Sequence, residues 1–133
     1  MGNTIKLTLP IYYQTPKGSK LLGMNNYERM HYQPRNALKK LYYSLVRAKV
    51  GKAVRIQGAY TAEYKLYYKN PISDAPNIIA RIDKLLMDGL QECGAIENDN
   101  VKFYKGAKWS VAGQDRINPR VEIIIIELDT NQE

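Results

Sequence analysis

Apolar and polar residues alternate from the first strand onward. Ile5, Leu7 and Leu9 are interleaved with Lys6 and Thr8, the period-two pattern of a half-buried strand ending near Pro10. A long polar connection follows, "QTPKGSKLLGMNNYERMHYQP", of a kind that is usually functional or disordered in compact domains. From Pro34 to about Val50 the period changes to that of a helix. Leu38, Leu41, Tyr42, Leu45 and Val46 form its buried face, and "GK" at 51–52 ends it. Residues 53–69, rich in tyrosine and β-branched types, predict one long strand bent at Gly58, or two strands. Ser73 or Asp74 can cap the next helix, with Pro76 tolerated in its first turn and Gly94 past its end near Cys93. "NVKFYKGAKWSV" predicts a strand, "AGQDRINP" a turn region, and "RVEIIIIEL" a final, central strand. The tail 129–133 is expected to fray. The order β-α-β(β)-α-β-β predicts an α/β (α+β) fold, a mixed sheet of about four to five strands with two helices packed on it.

Length and composition narrow the class. The 133 residues suit one domain spanning 1–133, and 44% hydrophobic with 25% charged residues is ordinary globular usage. One cysteine, Cys93, and one histidine, His31, exclude an internal disulfide and a Cys/His zinc cluster. The start alternates and carries Lys6, unlike a signal peptide, and no apolar run approaches bilayer length. A reduced, cytoplasmic protein with no membrane partner is the expectation.

Charge is distributed unevenly. Residues 1–69 hold thirteen Lys and Arg against two acids, a balance of +11. Residues 70–133 hold seven against eleven, or −4, which together make the net +7. A basic half-chain is the footprint of a polyanion partner, set against the plainer reading of a solvated basic face. Backbone contacts to DNA are expected from Arg35, Lys39, Lys40 and Arg47 on the first helix, from Lys17, Lys20 and Arg29 in the loop, and from Lys102, Lys105 and Lys108. Trp109, Tyr27 and Tyr32 are candidates for stacking on unpaired bases. Most of the eleven tyrosines are expected to pack in the core or on the sheet.

The acids gather where a basic protein would be expected to avoid them. Between Asp74 and Asp99 lie six acids and only two bases. On a helix over 77–93, Asn77, Arg81, Lys84 and Asp88 fall within about 60° of each other, opposite the apolar stripe, with Asp83 at the margin. A solvated face with a Lys84–Asp88 pair explains that stripe in the plainest way. Asp74 at the helix start and Asp99 after it suggest more. Carboxylates are ligands for Mg²⁺ or Mn²⁺, and such an ion would cancel their repulsion toward phosphate.

Residues 70–105 resemble the RusA-type Holliday junction resolvases. That family's pattern is Asp-x-Asp-Asn, then Lys and Asp-Ala-Leu on one helix, then Gly and an Asp pair before a strand. Lys84 and Asp88 keep its spacing, "DGL" at 88–90 stands for Asp-Ala-Leu, Gly94 matches the glycine, and Asn98-Asp99 stands for the Asp pair. "NNYERMHY" from Asn25 is similar to the family's loop after the first strand. The resemblance implies a homodimer that binds four-way DNA junctions and nicks them with Mg²⁺ or Mn²⁺. It implies metal ligation by Asp74 and Asp99 and assistance to the chemistry by Lys84. This chain departs from the pattern in two places. Pro76 stands where the family has its second Asp, and Asn77 is seven residues from Lys84 rather than three. Either Arg81 takes the cationic role, or the third ligand is Asp88, Asp83 or Asn77.

The expected activity is therefore a metal-dependent endodeoxyribonuclease acting on DNA junctions in recombination and repair. The alternatives are a non-catalytic DNA-binding accessory protein and a nuclease for flaps or RNA.

Overall fold

The computed structural model describes residues 3–23, 32–51 and 54–128, with side chains at 32 and 33 excepted. Strand β1 (Thr4–Pro10) alternates as its sequence predicts, turning Ile5, Leu7 and Leu9 inward. It pairs antiparallel with β6 (Arg120–Glu127) from Thr4 opposite Ile126 to Pro10 opposite Arg120. On the other side of β6 lies β4 (Tyr60–Tyr68), also antiparallel, and β5 (Tyr104–Gln114) then pairs with β4 in parallel. The sheet order is β1-β6-β4-β5, which makes "RVEIIIIE" a central strand. The result is one mixed sheet with two helices, a single-domain α+β fold.

The long polar connection is not wholly loop. Its first part is a hairpin, β2 (Tyr12–Thr15) with β3 (Gly18–Leu21). The turn works because Gly18 takes φ 114°, a region open to glycine, while the Thr15 hydroxyl donates to the Gly18 carbonyl and accepts from Lys17 N–H. Other boundaries shift as well. Residues 54–59 form no strand, although Ile56 N–H donates to the Ala95 carbonyl at 2.7 Å; the segment 100–103 is a turn rather than the start of β5, and β5 runs on to Gln114. Asn25, Tyr27, Arg29 and His31, and the tail 129–133, lie outside the described residues.

Helix α1 (Tyr32–Val50) buries Leu38, Tyr42 and Val46, spaced by four, while Leu41 is 45% exposed rather than part of the core. Helix α2 (Ala75–Glu92) starts at Asp74, whose carboxylate accepts the Asn77 N–H at 3.4 Å and the Asn77 side-chain amide at 2.9 Å. It stops at Gly94, φ 78°, with Ala95 N–H reaching back to the Leu90 carbonyl at 2.8 Å, a Schellman closure. Its apolar stripe is buried as the sequence predicts, and the burial extends further to Met87, Gly89 and Arg81. α1 packs closely on this stripe at Gly89. A Cβ built on Gly89 would lie 3.1 Å from Val46 Cβ.

β4, α2 and β5 form one parallel crossover. In that topology the helix starts beyond the C-terminal end of β4 and returns the chain to the N-terminal end, where β5 begins beside Tyr60. Among the described residues, no helix is long and apolar enough to cross a membrane.

Candidate active site

The crossover brings α2, the turn before β5 and the start of β4 together at one end of the sheet. Lys84 Nζ lies 3.2 Å from the Asp88 carboxylate, its i+4 neighbour, and 4.0 Å from that of Asp99. The hydrogen bond that Lys84 donates to Asp88 raises the lysine pKa above its ordinary value, opposed by partial desolvation and aided by the charges of Asp88, Asp99 and Asp83. The ammonium is thus held protonated.

Asp83, next along the helix, turns toward the sheet. Its Oδ1 accepts a hydrogen bond from the Tyr104 hydroxyl at 2.6 Å and another from the Tyr64 hydroxyl. Tyr60 stacks on Tyr104 with ring centroids 5.3 Å apart and donates to the Asn98 carbonyl at 2.8 Å. Burial, followed by the nearby carboxylates, raises the pKa of all three tyrosines. The side chain of Asn98 accepts Asp99 N–H at 2.8 Å and Asn100 N–H at 3.1 Å, an Asx-type turn that presents Asp99 beside Lys84.

Of the residues proposed from sequence, Lys84, Asp88 and Asp99 therefore meet, with Asp83 adjoining. Asp74 does not join them. It sits ten residues before Lys84, about 15 Å of helix rise, beyond the opposite end of β4. Asp74 and Asp99 cannot share one ion, because a parallel crossover places the helix start and the next strand's start at opposite ends of the sheet. Asn77 is engaged with Asp74 at that far end. Arg81 is a further correction. It is only 6% exposed, because its place about 40° from Leu85 around the helix falls within the widened buried arc, so it does not present a surface cation. Among the described residues, no three His, Cys, Asp or Glu side chains form a group able to hold one metal ion.

The basic candidates differ in exposure and contacts. Lys40 and Arg47 are exposed along α1, whereas Arg35 and Lys39 are half-buried. Lys102 lies over the Phe103 ring, Lys105 donates to the Val101 carbonyl at 3.2 Å, and Lys108 lies 3.8 Å from Glu63. Trp109 is 44% exposed on β5, outside the core.

Sequence reasoning missed Tyr60, Tyr64 and Tyr104. A signal was present: Tyr60, Ala62, Tyr64 and Leu66 alternate along β4 on its inward face, and a core-facing tyrosine needs a partner for its hydroxyl. No protein-family model matches the chain, and no curated protein matches it.

Proposed function

We propose that this protein is a metal-dependent endodeoxyribonuclease for branched DNA, with Lys84, Asp88 and Asp99 as its working residues. The observation that carries the reading is the contact of one lysine with carboxylates from two separate elements. Asp88 and Asp99 keep about a quarter of their side-chain surface exposed (25% and 29%), so a phosphate can approach them. Two carboxylates suit Mg²⁺ or Mn²⁺, since such ions commonly use one or two protein carboxylates together with substrate phosphate and water. When bound, the ion polarises phosphate and lowers the pKa of coordinated water.

Lys84, kept charged by Asp88, pairs with a phosphate oxygen and stabilises the charge that builds there; it does not serve as a base. Asp83, held by two phenols, keeps the α2 face fixed against β4 and β5. Water adds to phosphorus as the bridging P–O bond breaks, leaving a phosphate monoester on one side of the nick and a hydroxyl on the other. The test is incubation of four-way junctions with Mg²⁺ or Mn²⁺. Asp99→Asn is expected to abolish nicking and leave binding in EDTA intact, whereas undiminished cleavage by that variant would reject the assignment.

A second reading, a non-catalytic junction-binding protein of the same fold, is favoured by one observation. Asp74, which the family resemblance assigns to the metal, stands at the other end of the sheet. Salt-sensitive binding without nicking under either metal would select it.

A further inference from the structure

The peptide unit that joins Asn98 to Asp99 is held at both of its polar atoms. Its N–H donates to the Asn98 side chain at 2.8 Å, and its carbonyl accepts the Tyr60 hydroxyl, also at 2.8 Å. The first contact is local to the turn. The second comes from the first residue of β4, 38 residues away in the chain. Asp99 takes its place from that peptide unit, and its carboxylate lies 4.0 Å from Lys84 Nζ.

Tyr60 is placed to relate the two charges. It is fully buried, and its ring stacks on Tyr104, whose hydroxyl donates to Asp83, the residue before Lys84. One side chain therefore connects the helix that carries Lys84 with the turn that carries Asp99. The Met87 sulfur, 3.7 Å from the Tyr60 hydroxyl, is a weaker acceptor, so the Asn98 carbonyl is the partner that the buried O–H needs. Burial, followed by the charges of Asp99 and Asp83, raises the Tyr60 pKa, and the hydroxyl stays protonated and able to donate. A fully buried donor touches no DNA and acts on a reaction only through the group it holds.

We infer that Tyr60 is a positioning residue for Asp99: its hydroxyl, through the Asn98 carbonyl, keeps that carboxylate at Lys84. The inference rests on the reading of Lys84, Asp88 and Asp99 as the working residues. Partners that orient a metal-binding carboxylate from behind are typically worth about 10- to 100-fold in metal affinity or activity.

Tyr60→Phe removes the hydroxyl and keeps the ring. Tyr42→Phe is the matched control, because Tyr42 is also fully buried and donates to a backbone carbonyl, that of Pro10 at 2.5 Å, at the β1 edge of the sheet. Amide exchange, followed by NMR without DNA or metal, should quicken about tenfold at Asp99 and Asn100 in Tyr60→Phe and stay unchanged there in Tyr42→Phe. With Mn²⁺ and four-way junctions, Tyr60→Phe should lower kcat about 10- to 100-fold and leave KM and binding in EDTA as they were, whereas Tyr42→Phe should nick normally. 4-Aminophenylalanine in place of Tyr60, a weaker donor to the same carbonyl, should give smaller changes of the same sign. If the unaltered chain does not nick, the nuclease reading fails, and the exchange rates alone decide whether Tyr60 holds Asp99. Unchanged exchange at Asp99 in Tyr60→Phe, full kcat despite faster exchange, or equal losses in Tyr42→Phe would each overturn the inference.

Discussion

Tyr104 donates its hydroxyl to the Asp83 carboxylate at 2.6 Å, tying the first residue of β5 to the middle of α2. Tyr64 donates to the same oxygen from β4, so one carboxylate joins helix and both parallel strands. Tyr104→Phe is expected to cost about 1–2 kcal/mol, within the range for hydrogen bonds to charged groups but reduced by partial exposure. Tyr64→Phe on top of it should cost more than it does alone, because it removes the remaining phenol. Urea unfolding of the two single variants and the double variant measures this coupling.

The same tyrosines set an alkaline limit. In the folded chain the pKa of Tyr60, Tyr64 and Tyr104 lies above the ordinary 10.0, burial being the main cause. The unfolded chain therefore loses these protons first as pH rises. Stability is full below about pH 10 and declines above it. Phenolate absorbance of these residues should appear together with loss of tertiary structure and not before it.

Asp74 and Asp99 should separate stability from activity. Asp74→Ala removes a helix cap and is expected to cost about 1 kcal/mol, while Asp74→Asn keeps the cap and costs little. Neither should slow nicking, since Asp74 lies at the other end of the sheet. Asp99→Asn should do the reverse. Melting temperature and nicking rate, measured on all three variants, give the comparison.

Gly89 occupies the place where the resolvase pattern has alanine, and the structure supplies a cause. Gly89→Ala gains about 1 kcal/mol of helix propensity but sets a methyl 3.1 Å from Val46. Val46 is fully buried and stiff at χ1, so it cannot yield. Overpacking of about 1–3 kcal/mol makes the substitution neutral to destabilising. Val46→Ala combined with Gly89→Ala should recover part of the loss, which a double-mutant cycle in urea will show.

Glu127 fastens the two segments that enter the sheet beside it, accepting Asn3 N–H at 2.9 Å and Gln57 N–H at 2.6 Å. These backbone donors hold its pKa below the ordinary 4.5. Its contribution is present above that value and is lost as pH falls through the lower folded one. Glu127→Gln should flatten the acid side of the stability–pH curve, as thermal melts in a series of acidic buffers can measure.

Much of this architecture was legible in the residues. β1, α2 with its Asp74 cap and Gly94 stop, and the central position of β6 follow from period and punctuation. The hairpin was hidden because "TPKG" is polar and its strands are only four residues each. Arg81 was misplaced because a 100° projection gives an angle and not the width of the neighbours that cover the helix. The pairing of Lys84, Asp88 and Asp99 was visible in part through i,i+4 spacing. The separation of Asp74 from Asp99 was not, because it depends on whether β5 runs with β4 or against it. Local sequence does not encode that choice.

The parallel placement of β5 bears on how the candidate site breathes. β5 is an edge strand, paired with β4 alone and tied further by the ring stack of Tyr60 and Tyr104 and by the Tyr104–Asp83 hydrogen bond. Its departure would carry Tyr104 from Asp83 and free the turn that presents Asp99, with α2 and the other three strands still in place. Whatever secures the eleven residues of that strand therefore also holds Asp99 within reach of Lys84.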